Sequence, residues 1–231
     1  MNGAAMPAFR PFGFDHWIVL ILTLAAVFAL LANARRIRAA GDDRILRGCI
    51  ATGLVINAVV AFLFYFYSGT PKLPLQLCDL ALFLMAFAMV TKNRFTGELA
   101  FFWGLAGSSQ AVLTPDLWTG FPSFQFCQFF FSHCAVILSA VYLTVRGRFC
   151  LSGGSVLRAF IATNLYAGAV GLFNWRYGLN FGYLAAKPGH PSILDLFGPW
   201  PYYILGEEFL TLGLFTLCYV LARGIDRLAK N

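Results

Sequence analysis

Hydrophobic residues in this chain are gathered into long runs, and polar residues collect at the ends of those runs. The runs cover about 17–34, 49–67, 73–90, 99–113, 124–145, 156–173 and 202–222. Most approach the roughly 20 residues of helix that span a hydrocarbon core. In lipid such runs can only be helices, because an open strand edge would leave backbone N–H and C=O groups without partners. The pattern therefore predicts an all-α fold. It is a polytopic integral membrane bundle of seven transmembrane helices, with 1–231 forming a single transmembrane domain. The fourth run is the weakest. It contains Gly104, Gly107, Ser108, Ser109 and Gln110 and is followed by Pro115, so it is expected to break, or to be buried through its small residues.

Composition strengthens this reading. Hydrophobic residues make up 59% of 231 positions and charged residues only 12%, too little charge to cover a water-exposed surface. No polar stretch is long enough for a second, soluble domain. A net charge of +7 invites a nucleic-acid reading, but the cations sit at the ends of the apolar runs, so nucleic acid is not an expected partner. Their distribution is a topology signal instead. Seven spans put Arg35, Arg36, Arg38, Arg44, Arg47, Lys92, Arg94, Arg146, Arg148, Arg158, Arg223, Arg227 and Lys230 on one side. The other side receives only Arg10, Lys72, Arg176 and Lys187. Cations concentrate on the cytoplasmic side, which predicts the N-terminus out and the C-terminus in. Ala32-Asn33-Ala34 faintly resembles a signal-peptidase site, but Arg35 and Arg36 follow at once, as after an uncleaved first span.

The outward segments are then 68–72, 114–123 and 174–201. The last is rich in Gly, Pro, Asn and aromatics, and Trp175, Trp200, Tyr202 and Tyr203 are expected in an interfacial belt. The aromatic stretch 121–131 is expected to face lipid. Six cysteines, at 49, 78, 127, 134, 150 and 218, form no CxxC cluster, so spacing gives neither a disulfide framework nor a metal site.

Ionisable residues inside spans are costly and are candidates for function. Here they are Cys78 and Asp79 in the third span, His133 in the fifth, and Glu207 and Glu208 in the seventh, with His16 opening the first. At about 1.5 Å per residue, Cys78 and Glu207 lie about 7 Å from the outer end and His133 about 13 Å. All fall in the outer half, which predicts a polar cavity there. Cys78 and His133 could form a nucleophile and its base, with Asp79, Glu207 or Gln110 orienting the ring. Plainer readings compete at each position. A cysteine in a membrane helix packs as a small apolar residue, a histidine can simply bond a neighbouring helix, and a Cys78–Cys127 disulfide would remove the thiol.

Several stretches carry a family resemblance. They are Leu73-Pro74-Leu75-Gln76-Leu77-Cys78, Glu98-Leu99-Ala100-Phe101-Phe102-Trp103-Gly104 and Gln110-Ala111-Val112-Leu113-Thr114-Pro115-Asp116. Further on come Phe121-Pro122, Phe129-Phe130-Phe131-Ser132-His133, Asn180, Lys187-Pro188 and Leu194-Asp195-Leu196-Phe197-Gly198-Pro199-Trp200-Pro201. Over nearly its whole length the chain resembles the YwaF-like family of bacterial integral membrane proteins. That family is similar to a eukaryotic transmembrane acyltransferase that builds ether phospholipids, and more distantly to membrane hydrolases of fatty-acid esters. The cysteine and histidine implicated in the acyltransferase fall on Cys78 and His133. Members often carry His where Gln76 stands, and an acidic residue near Ala58.

The resemblance implies a lipid acyltransferase or acyl hydrolase of the bacterial cytoplasmic (inner) membrane, with its cavity towards the outer face. Cys78 and His133 would be catalytic, with phospholipid or lysophospholipid as substrate. Gln76, Gln110 or Asn180 would donate to the oxyanion, Asp79 or Glu207 would orient the imidazole, and His16 would support the site. The chemistry needs no metal or other cofactor. Two readings remain beside it: a small-solute or ion carrier using Glu207, Glu208 and Asp79, and a non-catalytic lipid-binding membrane protein.

Overall fold

The computed structural model describes residues 6–70, 72–149 and 151–230. Cys150 lies outside them. The described residues are mostly helical, with one long connection at 178–201, and the long helices coincide with the apolar runs.

The first is α1, Phe14–Ala32. Asn33 ends it, with its side-chain amide turned back to the Ala29 carbonyl at 2.9 Å, and the arginine-rich α2, Ala34–Ala39, follows. Next come α3, Arg44–Tyr67, and α4, Leu77–Val90. The expected third span opens at 73, but helix starts only at Leu77. Pro74 disfavours helical backbone in the residue before it, and Gln76 is extended.

The fourth run is longer than its apolar part and is broken. α5, Arg94–Phe102, is capped by Asn93, whose side chain accepts from Thr96 N at 3.0 Å. A π-helical stretch, Trp103–Gly107, leads into α6, Ser108–Leu113. The wider π turn falls on the glycines, and α6 stops short of Pro115, so the sequence signals of a break hold. α7, Phe124–Val145, is capped by Ser123, which accepts from Phe126 N at 3.2 Å. α8, Gly153–Tyr177, begins with a Ser152–Ser155 capping box and ends on Gly178. α9, Tyr202–Lys230, runs eight residues beyond the expected end of the seventh span.

Among the described residues five helices, α1, α3, α7, α8 and α9, are long and apolar enough to cross a membrane. The other two apolar runs, α4 and the α5–α6 segment, form the centre. Ala81, Met85, Met89, Ala100 and Phe102 on them are fully buried. The longer helices surround this centre and turn large apolar side chains outward, with Phe14 80% and Phe209 79% exposed. In water such a surface would aggregate; in a bilayer it is the solvated face.

Gly104 sets how closely the centre packs. A Cβ there would fall 2.8 Å from Val136 on α7 and 3.2 Å from Met85 on α4. Only hydrogen fits, so three helices meet at one residue, as small residues permit in membrane bundles.

The Arg-rich end is tied by ion pairs. Asp43 accepts from Arg47 and Arg146 at 2.9 Å, from Arg148 at 3.0 Å and from the Tyr142 hydroxyl at 2.9 Å. Burial opposes the charge on Asp43, but the hydrogen bonds from Arg47 and Tyr142 and the nearby guanidiniums hold its carboxyl well below the usual range. Glu98 is likewise held by Arg94, Ser155 and Arg158. Cations read from sequence as orientation markers thus also clamp helix ends together.

Candidate functional site

The opposite end of the bundle gathers the groups with chemical potential. Cys78 is the second residue of α4, a free and half-buried thiol. Cys127 is also free, which removes the disulfide alternative. The head of α4 is built locally. The Asp79 carboxylate accepts from Gln76 N at 3.3 Å, the return bond of a capping box. Asp79 is thereby engaged at its own helix end.

The long segment after α8 folds over this head. Gly182, at φ +66°, donates its N–H to Gln76 Oε1 at 2.8 Å. Left-handed backbone is cheap there because glycine has no Cβ. Tyr166 on α8 donates to the Leu75 carbonyl at 2.7 Å. A Cβ on Gly107 would sit 3.9 Å from the Cys78 sulfur, so the π-helical stretch lines one side of the thiol.

His133 is half-buried on α7. Its Nδ1 lies 2.7 Å from the Phe129 carbonyl and 3.4 Å from Ser132 Oγ. A carbonyl oxygen only accepts, so Nδ1 carries the proton and Nε2 keeps the lone pair. The Phe129 ring packs on the imidazole at 4.2 Å. A backbone carbonyl therefore fills the orienting position that the sequence reading offers to Asp79 or Glu207.

The other expected residues divide. His16 is 0% exposed. Phe12 N donates to its Nδ1 at 2.9 Å, so Nε2 must carry the proton and donate to the Val112 carbonyl at 2.7 Å. With both nitrogens engaged it ties α1 to α6. Asn180 is similarly committed, accepting from Ala185 N and Ala186 N at 3.0 Å and donating to the Ala186 carbonyl at 2.8 Å. Gln76 accepts through its oxygen, and Gln110 is half-buried on α6. Glu208 accepts from Asn164 at 2.9 Å on an exposed face, whereas one carboxyl oxygen of Glu207 is buried without a partner.

One cluster of side chains here escapes a sequence reading. Asp116 accepts from the Tyr183 hydroxyl and from His190 Nδ1, each at 2.9 Å, and Trp118 packs on His190 at 4.3 Å. Burial and the Asp116 carboxylate push the Tyr183 phenol above its usual range. Asp116 and His190 are 74 positions apart, and the only local signal is a lone His in a Pro-rich loop. Tyr203, expected in the interfacial belt, is fully buried, with its hydroxyl donating to the Tyr183 carbonyl. Trp175, Trp200 and Tyr202 do stay exposed. The aromatic stretch 121–131 is split: Phe121 and Phe131 are exposed, whereas Phe126 and Phe130 are buried against Phe9.

Among the described residues, no three His, Cys, Asp or Glu side chains gather as a metal-ligand set. No curated protein and no solved structure matches the chain. The model of the TMEM164 family matches residues 11–219.

Proposed function

Since the chain belongs to the TMEM164 family, a family of transmembrane proteins, we propose that it is a membrane-embedded lipid acyltransferase or acyl hydrolase working through Cys78 and His133. The observation that carries this reading is the imidazole of His133, anchored through Nδ1 on the Phe129 carbonyl with Nε2 left as the basic nitrogen. A held tautomer with a free base nitrogen is what a general base requires.

Level within the bundle supports the pairing. Gly104 meets Val136 on α7 and Gly107 meets Cys78 on α4. Gly107 is one turn beyond Gly104, and His133 is one turn from Val136 in the same direction, since α7 runs opposite to the α5–α6 segment. On that count the two side chains would lie at a similar level, although among the described residues the hydrogen bonds of the His133 ring go to Phe129 and Ser132 and not to Cys78. The free state of Cys78 and the resemblance to YwaF-like proteins and their acyltransferase relatives also favour it.

The reaction would run in two halves. Nε2 takes the thiol proton, the thiolate attacks an acyl-ester carbonyl, and the C–O bond breaks as the leaving alkoxide takes that proton back. A lysophospholipid hydroxyl, or water, then gives its proton to Nε2 and attacks the thioester, and the C–S bond breaks to return the thiolate. Gln76 and Gln110 are the remaining amides for the oxyanion, and Asn180 shapes the loop above.

Orientation enters the same proposal. Seven spans with the Arg-rich end in the cytoplasm would put Cys78 and His133 in the outer half of a bacterial cytoplasmic membrane. A carrier is the second reading, favoured by the buried, unpartnered Glu207 oxygen, since such groups are rare without a role. Purified protein assayed for acyl release and transfer from phospholipid separates the two. Cys78→Ala is expected to abolish both activities and Glu207→Gln to leave them within a few-fold. Full activity in Cys78→Ala would end the proposal.

A further inference from the structure

We infer that the recess at the Arg-rich end of α3, α4 and α7 binds the phosphate of an anionic phospholipid headgroup. The inference is independent of the acyl-transfer reading and concerns the other end of the molecule. The recess holds about 400 Å³ and is lined by Asp42, Arg44, Arg47, Val90, Lys92 and Arg148.

Charge here is out of balance. Three guanidiniums, Arg47, Arg146 and Arg148, share the single carboxylate of Asp43. Arg44 has Asp42 at 3.4 Å, and Lys92 brings another cation to the wall. Four cations, Arg44, Arg47, Lys92 and Arg148, therefore line the recess beside the single carboxylate of Asp42, with Asp43 and Arg146 paired behind them. Arg47, with a side chain only 8% exposed, is already met by Asp43 and the Met89 carbonyl, so the charge left over is that of the more exposed Arg44, Lys92 and Arg148. Arg146 spends its remaining donors on the Ala40 and Gly41 carbonyls at 2.8 and 2.9 Å, so it holds the wall in shape. The charge left over can be met by a phosphate oxyanion, which guanidinium groups recognise well.

The surroundings select a lipid over free phosphate. The recess opens at the ends of α3 and α7, two of the helices able to cross a membrane, where headgroups lie. Ile45, Leu46 and Val90 beside it expose 85%, 51% and 58% of their surface. Cations next to an exposed apolar apron suit a ligand with a charged head and a hydrocarbon tail.

Native mass spectrometry of the full chain in detergent tests this, with phosphatidylglycerol and phosphatidylcholine of the same acyl chains offered in equal amounts. Phosphatidylglycerol is expected to be retained preferentially. Each cation removed should weaken retention about fivefold, from about 1 kcal/mol per basic residue. Arg148→Gln with Lys92→Gln should thus lose about 25-fold, while Asp43 keeps Arg47, Arg146 and Tyr142 to hold the helix ends. Lys92→Gln alone disturbs no ion pair and should lose about fivefold, which keeps the test sound if the double variant fails to fold. Equal retention of the two lipids, or unchanged retention in Lys92→Gln, would overturn the inference. Displacement of the lipid by millimolar inorganic phosphate would assign the recess to a soluble anion and overturn it too.

Discussion

An imidazole can act as a base only through a nitrogen that does not already carry the proton. The two histidines carried by the long helices, buried His16 and half-buried His133, differ in this respect. His16 has Nδ1 accepting from Phe12 N and Nε2 donating to the Val112 carbonyl, so neither nitrogen is free. His133 has only Nδ1 engaged by backbone. His133→Gln is therefore expected to lower acyl transfer by about 10²–10⁴, the usual range for a general base, while leaving Cys78 open to alkylation. His16→Gln should act mainly on stability. Transfer rates and melting temperatures of the two variants check this contrast, and equal rate losses would contradict it. Sequence alone offers both histidines as candidates. What separates them is backbone hydrogen bonding, which depends on residues up to 96 positions apart. The same limit hides the Asp116–His190 contact and the burial of Tyr203.

At the scale of elements, most of the fold is legible because lipid leaves the chain few choices. Long apolar runs must be helices, and Pro74, Pro115 and the glycines of 103–107 mark where helix stops or loosens. Close packing is harder to read. The apolar run that appears weakest in sequence is the most deeply buried, because small residues give up hydrophobic bulk for helix contact. Gly104→Ala is expected to cost about 1–3 kcal/mol through overpacking against Val136 and Met85, seen as a lower melting temperature in detergent. Gly53→Ala, whose Cβ would meet open space, should not lower it. The Asp43 cluster makes a second claim. Asp43→Asn leaves three guanidiniums without their anion and should cost about 3–5 kcal/mol. The lowered carboxyl of Asp43 stays charged where an unfolded aspartate, near about 3.9, would take up a proton. Its contribution is therefore complete above about pH 4 and is lost as pH falls through the folded-state value. Melting temperature against pH should show this acid loss in the parent chain and a weaker one in Asp43→Asn.

For the whole molecule, the division of cations predicts which end faces the cytoplasm. A cysteine introduced at the exposed Ala185, in a variant whose native cysteines are replaced, should label with a membrane-impermeant maleimide from outside intact cells. One at Arg227, which is exposed near the end of α9, should label only after the membrane is opened. The reverse result would invert the topology and move the thiol to the cytoplasmic half. The two ends of the bundle then differ in kind, with arginines clamping helix ends at one and a free thiol and a backbone-anchored imidazole on separate helices at the other. The chemistry at the second end is tested most directly by the intact mass of the purified chain after incubation with phospholipid. A gain of one acyl chain is expected, lost on treatment with neutral hydroxylamine and absent from Cys78→Ala. Phospholipid turnover without any such adduct, or an adduct that persists in Cys78→Ala, would contradict it.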